Sequence, residues 1–154
     1  MHKVGVFSFG RKQSQRCPNK MLRPFGETTL TDIVLAKLAH ANYFTFFAGY
    51  EDEFRNKCKE HSVHFVERDR ESATIDGPIV EILSFLKRVD CEYLLLVNAC
   101  LPFLRKETIE SFLEECTSGD HEPGFAVTRR RNFFLTLAGQ AVNFDFGSKT
   151  LNTK

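Results

Sequence analysis

Short apolar runs alternate with amphipathic stretches along this chain, and no other feature restricts its fold as much. Residues 4–9 (VGVFSF) form a β-rich run that ends at Gly10 and a polar segment, the pattern of a buried strand opening into a loop. From Thr29 onward, Leu30, Ile33, Val34, Leu38 and Ala39 recur at helical spacing behind threonines able to cap, which predicts a helix to about His40. Residues 43–48 predict a second strand closed by Gly49, Asp52 caps a predicted helix running to His61, and residues 63–66 predict a third strand. After a polar loop, Gly77-Pro78 opens a helix with Ile79, Ile82, Leu83 and Leu86 inward, since proline suits a first helical turn. Residues 93–97 are the most apolar run, which predicts a strand covered on both faces and central in its sheet. Ile109, Phe112, Leu113 and Cys116 mark another helix, residues 125–128 a fifth strand, and residues 133–137 with 141–145 a hairpin around Ala138-Gly139-Gln140. This order predicts one three-layer α/β domain over residues 1–154, with a mainly parallel sheet, right-handed crossovers and a closing hairpin.

Charge adds a second constraint. Lys and Arg number 21 against 20 Asp and Glu, so the net charge of +1 supplies no overall field that would call for nucleic acid or an acidic membrane as partner. The balance hides a split: residues 1–26 carry Lys3, Arg11, Lys12, Arg16, Lys20 and Arg23 and no acid. Five cysteines (Cys17, Cys58, Cys91, Cys100 and Cys116) with no CxxC spacing argue against a disulfide framework and a zinc site, and for a reducing, cytoplasmic setting. The YLLLV run is far too short to span a bilayer.

In an open parallel sheet, ligands sit beyond the carboxyl ends of the strands, which directs attention to the loops at residues 10–20, 67–76 and 98–105. The first offers Arg11, Ser14, Arg16 and Lys20 without an acid. Such a loop can wrap a polyphosphate, arginine giving two-pronged hydrogen bonds and lysine a point charge; a solvated basic loop is the other reading. It has neither the GxxxxGK[ST] nor the GxGxxG pattern.

The segment Arg11-Lys-Gln-Ser14-Gln-Arg16-Cys-Pro18-Asn-Lys20 resembles the opening signature of the sugar cytidylyltransferases, the acylneuraminate, deoxy-octulosonate and spore-coat polysaccharide enzymes. Arg, Ser, Pro and Lys fall in that family's register. Weaker parallels are Glu67-Arg68, the Asn98-Ala-Cys-Leu-Pro102-Phe loop, Asn143-Phe-Asp-Phe and residues 150–153. The resemblance implies a three-layer α/β/α, Rossmann-like nucleotidyltransferase fold. It also implies transfer of CMP from CTP to an acidic sugar with Mg²⁺ and release of pyrophosphate. Carried over by position, Arg11 and Lys20 would be the catalytic pair, with Phe9, Gly10, Ser14, Arg16 and Arg68 completing the nucleotide site and Asn98 and Pro102 facing the sugar. No metal ligand is assigned, because Cys100 stands where the octulosonate enzymes carry a metal-binding Asp and a thiol is a poor Mg²⁺ ligand. Family members run longer. The chain is therefore expected to be the amino-terminal portion of the family fold, with homodimerisation and an acidic metal cluster belonging to the remainder. A catalytically incomplete nucleotide- or nucleotide-sugar-binding domain is the alternative.

Plainer roles are expected elsewhere. Cys100 reads as a small buried hydrophobe, Arg129-Arg130-Arg131 as a solvated strand end, Asp76 as a helix cap, and the 16 phenylalanines as core.

Overall fold

Four parallel strands carry the architecture: β1 (His2–Phe9), β4 (Phe44–Gly49), β5 (His64–Glu67) and β6 (Cys91–Leu96), in the spatial order β5-β4-β1-β6. They belong to a computed structural model that describes residues 2–14, 17–74, 77–118, 124–127 and 133–145. Two compact units are present, residues 1–118 and 119–154. In the first, a small antiparallel pair, β2 (Pro24–Phe25) and β3 (Thr28–Thr29), leads into α1 (Leu30–Ala39). Helix α2 (Asp52–Glu60) joins β4 to β5. The segment after β5 holds α3 (Arg70–Thr74), α4 (Ile79–Ile82) and a 3₁₀ turn (Ser84–Arg88), and α5 (Lys106–Ser118) follows β6.

Each helix follows from local chemistry. Thr29 caps α1, its hydroxyl accepting the Asp32 N–H at 3.1 Å, and Val34, Leu35 and Leu38 turn inward. The sheet is buried on both faces at β1 and β4, whose alternating side chains feed two cores. On one side Val4, Val6 and Phe47 meet α1 and the Phe54 and Cys58 side chains of α2. On the other, Phe7 stacks on Phe46 at 5.2 Å and takes the edge of Phe85 at 6.1 Å.

Several expectations need correction. Strand β6 lies at an edge of the four-stranded sheet, not at its centre, with Leu94 and Leu96 exposed at 37% and 41%. The continuous apolar run misled because only the Tyr93 and Leu95 face packs on the core. Helix α3 interrupts the expected loop, with Asp69 accepting the Ser72 N–H at 2.7 Å at its start. The helix after Pro78 spans four residues before tightening to 3₁₀. Ile79 is exposed and Phe85 is the residue buried there. Asp52 is the first residue of α2; the cap position belongs to Glu51, whose carboxylate is committed elsewhere.

In the second unit, Phe125 and Val127 are exposed and in no strand. The hairpin survives as one antiparallel bridge, Leu135 with Ala141, turning at Gly139 (φ +79°). An isolated two-stranded pair of this length is marginal. Arg16, Asp76, Thr128, Arg129-Arg130-Arg131 and residues 150–153 lie outside the described residues.

Asp32 ties α1 to α2. Its carboxylate accepts from the Thr29 hydroxyl at 2.7 Å and from Lys57 Nζ and His61 Nε2 at 3.0 Å each. Burial by itself would raise this carboxyl, but the three hydrogen bonds together outweigh it and hold the group below its ordinary value. A lowered carboxyl stabilises the fold above its unfolded-state pKa, and that contribution is lost as pH falls through the folded-state value. Asp32→Asn is expected to reduce the unfolding free energy in urea by about 1–3 kcal/mol at neutral pH. The gap to wild type should then close as both proteins are taken below roughly pH 4.

Candidate functional site

The chain winds outward from β1 to β4 and β5, then returns to lay β6 on the other side of β1. Winding therefore reverses between β1 and β6, where a doubly wound sheet leaves a crevice at its carboxyl edge. A cleft of about 500 Å³ opens there, lined from three places: the end of β1 with the loop after it, the segment after β5, and the residues after β6. Its size suits a nucleotide-sized ligand.

The loop after β1 is held in shape by its own side of the fold. Gly10 N–H donates to Ala48 O at 3.0 Å, continuing the ladder one residue past β1. A Cβ on Gly10 would lie 3.0 Å from the Phe47 ring and 3.3 Å from both Met21 and Phe54, so any larger residue here would press on these three side chains and require them to give by a few tenths of an ångström. Lys12 N–H donates to Glu51 Oε1 at 2.8 Å and its ammonium pairs with Glu53, which pins the loop to α2. Asn19, at φ +54°, turns the chain back: its N–H reaches Lys12 O and its own carbonyl accepts from Leu22 and Arg23. Met21 closes the loop in the core, its carbonyl accepting both the N–H and the hydroxyl of Thr31.

These constraints bring Phe9, Gly10, Arg11, Ser14, Lys20, Arg68 and Asn98 to one cleft. Pro102 does not line it; its carbonyl accepts from Lys37 Nζ at 2.7 Å, fastening that loop to α1. Asn98 Oδ1 accepts the Cys100 N–H at 2.9 Å, leaving the side-chain amide N–H groups as its donors. Cys100 is exposed on the cleft, not buried as its composition suggested, because that turn directs residue 100 outward. Sequence reasoning passed over Ser8, Ser72, Ile79 and Ile82, which also line the cleft. Ser8 was legible as a polar break in an apolar strand; its hydroxyl is buried without a hydrogen-bond partner among the described residues.

The electrostatics are one-signed. Arg11, Lys20 and Arg68 line the cleft, and among the described residues no carboxylate does. Arg11 Nη1 donates to Thr74 O at 3.2 Å. Arg68 is 1% exposed; burial, followed by repulsion from Arg11, lowers its guanidinium to about 10, so it stays charged at neutral pH. No group of three or more His, Cys, Asp or Glu side chains among the described residues is arranged to hold a metal. Guanidinium, ammonium and thiol groups do not fit Mg²⁺, which takes hard oxygen ligands.

At the switch point of the parallel sheet the described lining of the crevice is cationic and holds no carboxylate, chemistry that suits a phosphorylated ligand. The chain belongs to the MobA-like NTP transferase domain family, whose model matches residues 10–143. Similar solved structures include CMP:2-keto-3-deoxy-manno-octonic acid synthetase complexed with CTP, 12% identical with a TM-score of 0.64 over 75% of this chain and 48% of that one. A cytidylyltransferase from Leptospira borgpetersenii serovar Hardjo-bovis (strain JB197) is 18% identical with a TM-score of 0.62, covering 77% and 50%. Rv0371c from Mycobacterium tuberculosis H37Rv is 14% identical with a TM-score of 0.51, covering 73% and 59%. The chain thus spans about half the length of these structures, and the likeness establishes the shared fold. No curated protein matches significantly. Among the described residues no helix is long and apolar enough to cross a membrane.

Gly10→Ala is expected to lower stability by about 1–3 kcal/mol through overpacking against Phe47, measured by chemical denaturation.

Proposed function

We propose that this chain is the nucleotide-binding part of a cytidylyltransferase that moves CMP from CTP to an acidic sugar, of the 2-keto sugar acid or sialic type, and releases pyrophosphate. The observation that carries the reading is the cleft at the β1/β6 switch point, with Arg11 and Lys20 on the loop leaving β1 and no carboxylate among the described lining residues. Likeness of fold to a synthetase complexed with CTP supports cytidine as the base.

In this reading the sugar hydroxyl oxygen bonds to the α-phosphorus, the α–β phosphoanhydride bond breaks, and the hydroxyl proton is released. The protein forms no covalent bond with the substrate. Its part is to hold the triphosphate in line and to neutralise charge gathering on the departing pyrophosphate. Arg11 and Lys20 supply that charge, Ser14 supports the loop, Arg16 belongs to the nucleotide site by the sequence resemblance, and Phe9 and Gly10 form the strand exit beside the nucleotide. Asn98 offers amide donors toward the sugar, and Pro102 keeps its loop in place. Magnesium would enter with the triphosphate, since the described cleft lining holds no carboxylate for it. The one-signed charge suits an anionic acceptor as well as an anionic donor.

The alternative is a domain that binds the nucleotide without turning it over, favoured by the same lack of carboxylates in the described lining. A pyrophosphate-release assay with CTP, Mg²⁺ and a panel of sugar acids separates the two. Turnover supports the transferase, and CTP binding without turnover supports the alternative. Lys20→Ala is expected to weaken CTP binding at least tenfold in calorimetric titration, a loss of about 1.4 kcal/mol or more, with the unfolding midpoint unchanged. Unaltered affinity would refute the assignment of Lys20.

A further inference from the structure

Arg68 shares the cleft with Arg11 and Lys20, but both of its terminal nitrogens are committed to backbone carbonyls, while its buried Nε has no hydrogen-bond partner among the described residues. Nη1 donates to Gly10 O at 3.4 Å, and Nη2 donates to Ile82 O at 3.1 Å and to Ser72 O. The guanidinium also lies over the rings of Phe9, 5.1 Å from its centroid, and Phe85, at 5.5 Å. Its own N–H donates to Gly49 O at 2.8 Å, which locks the base of the side chain to the end of β4. One fully buried side chain therefore touches the exit of β1, where the phosphate loop begins, and both ends of the 72–82 segment that forms the facing wall.

We infer that Arg68 is a positioning residue, which sets the distance between the phosphate loop and the wall carrying Ile79 and Ile82 and does not itself contact the nucleotide. The inference deepens the proposed function and rests on it for the identity of the ligand. Arg11 reaches Thr74 O from the loop, but it is only half-buried and lines the cleft directly. A planar fork can meet several carbonyls at once; a lysine ammonium on a flexible stem cannot hold the same spread. Three carbonyls stripped of water and aimed at a removed cation would also repel one another, so the two walls should part when the guanidinium is lost.

A direct phosphate ligand and a positioning residue leave different traces. Loss of a ligand weakens binding more with each phosphate, whereas loss of a spacer weakens CMP, CDP and CTP by a similar factor. The test measures the three nucleotides by calorimetry on wild type, Arg68→Met and Arg68→Lys, with hydrogen exchange on the nucleotide-free proteins. The expected result is a fall of at least tenfold for all three nucleotides in Arg68→Met and partial recovery in Arg68→Lys. Faster exchange is expected at the Ala73 and Leu83 amides in both variants. If Arg68→Met does not fold, Arg68→Lys alone decides, through a fall of at least threefold that is equal for the three nucleotides and through faster exchange. A loss that grows from CMP to CTP, or wild-type affinity with unchanged exchange, would overturn the inference. If wild type binds no cytidine nucleotide, the proposed function fails. The inference then stands or falls on the exchange at Ala73 and Leu83.

Discussion

Strand β1 sits between β4 and β6, and this placement governs the rest of the molecule. A parallel sheet can grow only through crossovers, and the crossovers here run first to one side of β1 and then to the other. The carboxyl ends of β1 and β6 are consequently neighbours whose following loops diverge. The cleft occupies the space between them, floored by the end of β1 and walled by the segment after β5. Burial of β1 and β4 on both faces, through Val6 and Phe47 on one side and Phe7 and Phe46 on the other, makes that floor rigid.

Charge is distributed with a division of labour. The loop after β1 is rich in cations, yet they do different work. Lys12 is paired with Glu53 on α2, and the Glu51 carboxylate accepts its backbone N–H, so this residue anchors the loop. Lys20 and Arg11 line the cleft. Arg68 comes from another loop and spends its hydrogen bonds on carbonyls. A dry guanidinium without partners would be costly, and its carbonyl set with two aromatic faces offsets that cost.

The sequence made some of this readable and hid the rest for physical reasons. The periodicity behind Thr29 and the strand-loop pattern at residues 4–10 depend on local chemistry alone, and both elements form within two residues of expectation. The central place assigned to residues 93–97 failed because hydrophobicity reports burial without naming the neighbour, and half of that apolar run is exposed in β6. Helix α3 was legible in the spacing of Asp69 and Ser72 but lay hidden in a polar stretch. The cations of the first loop announced themselves by their lack of acids. Arg68 looked like one more ligand, and only its three carbonyl partners give it a different task, since they come from residues 10, 72 and 82.

The central claim is that the cleft between the ends of β1 and β6 receives a cytidine nucleotide on the loop after β1. The most direct measurement is a titration of isotope-labelled protein with CTP followed by amide NMR. The account predicts saturable shifts concentrated at Gly10 to Met21 and Asn98 to Cys100, with the amides of α5 unmoved. Shifts absent from these segments, or centred on α5, would contradict it.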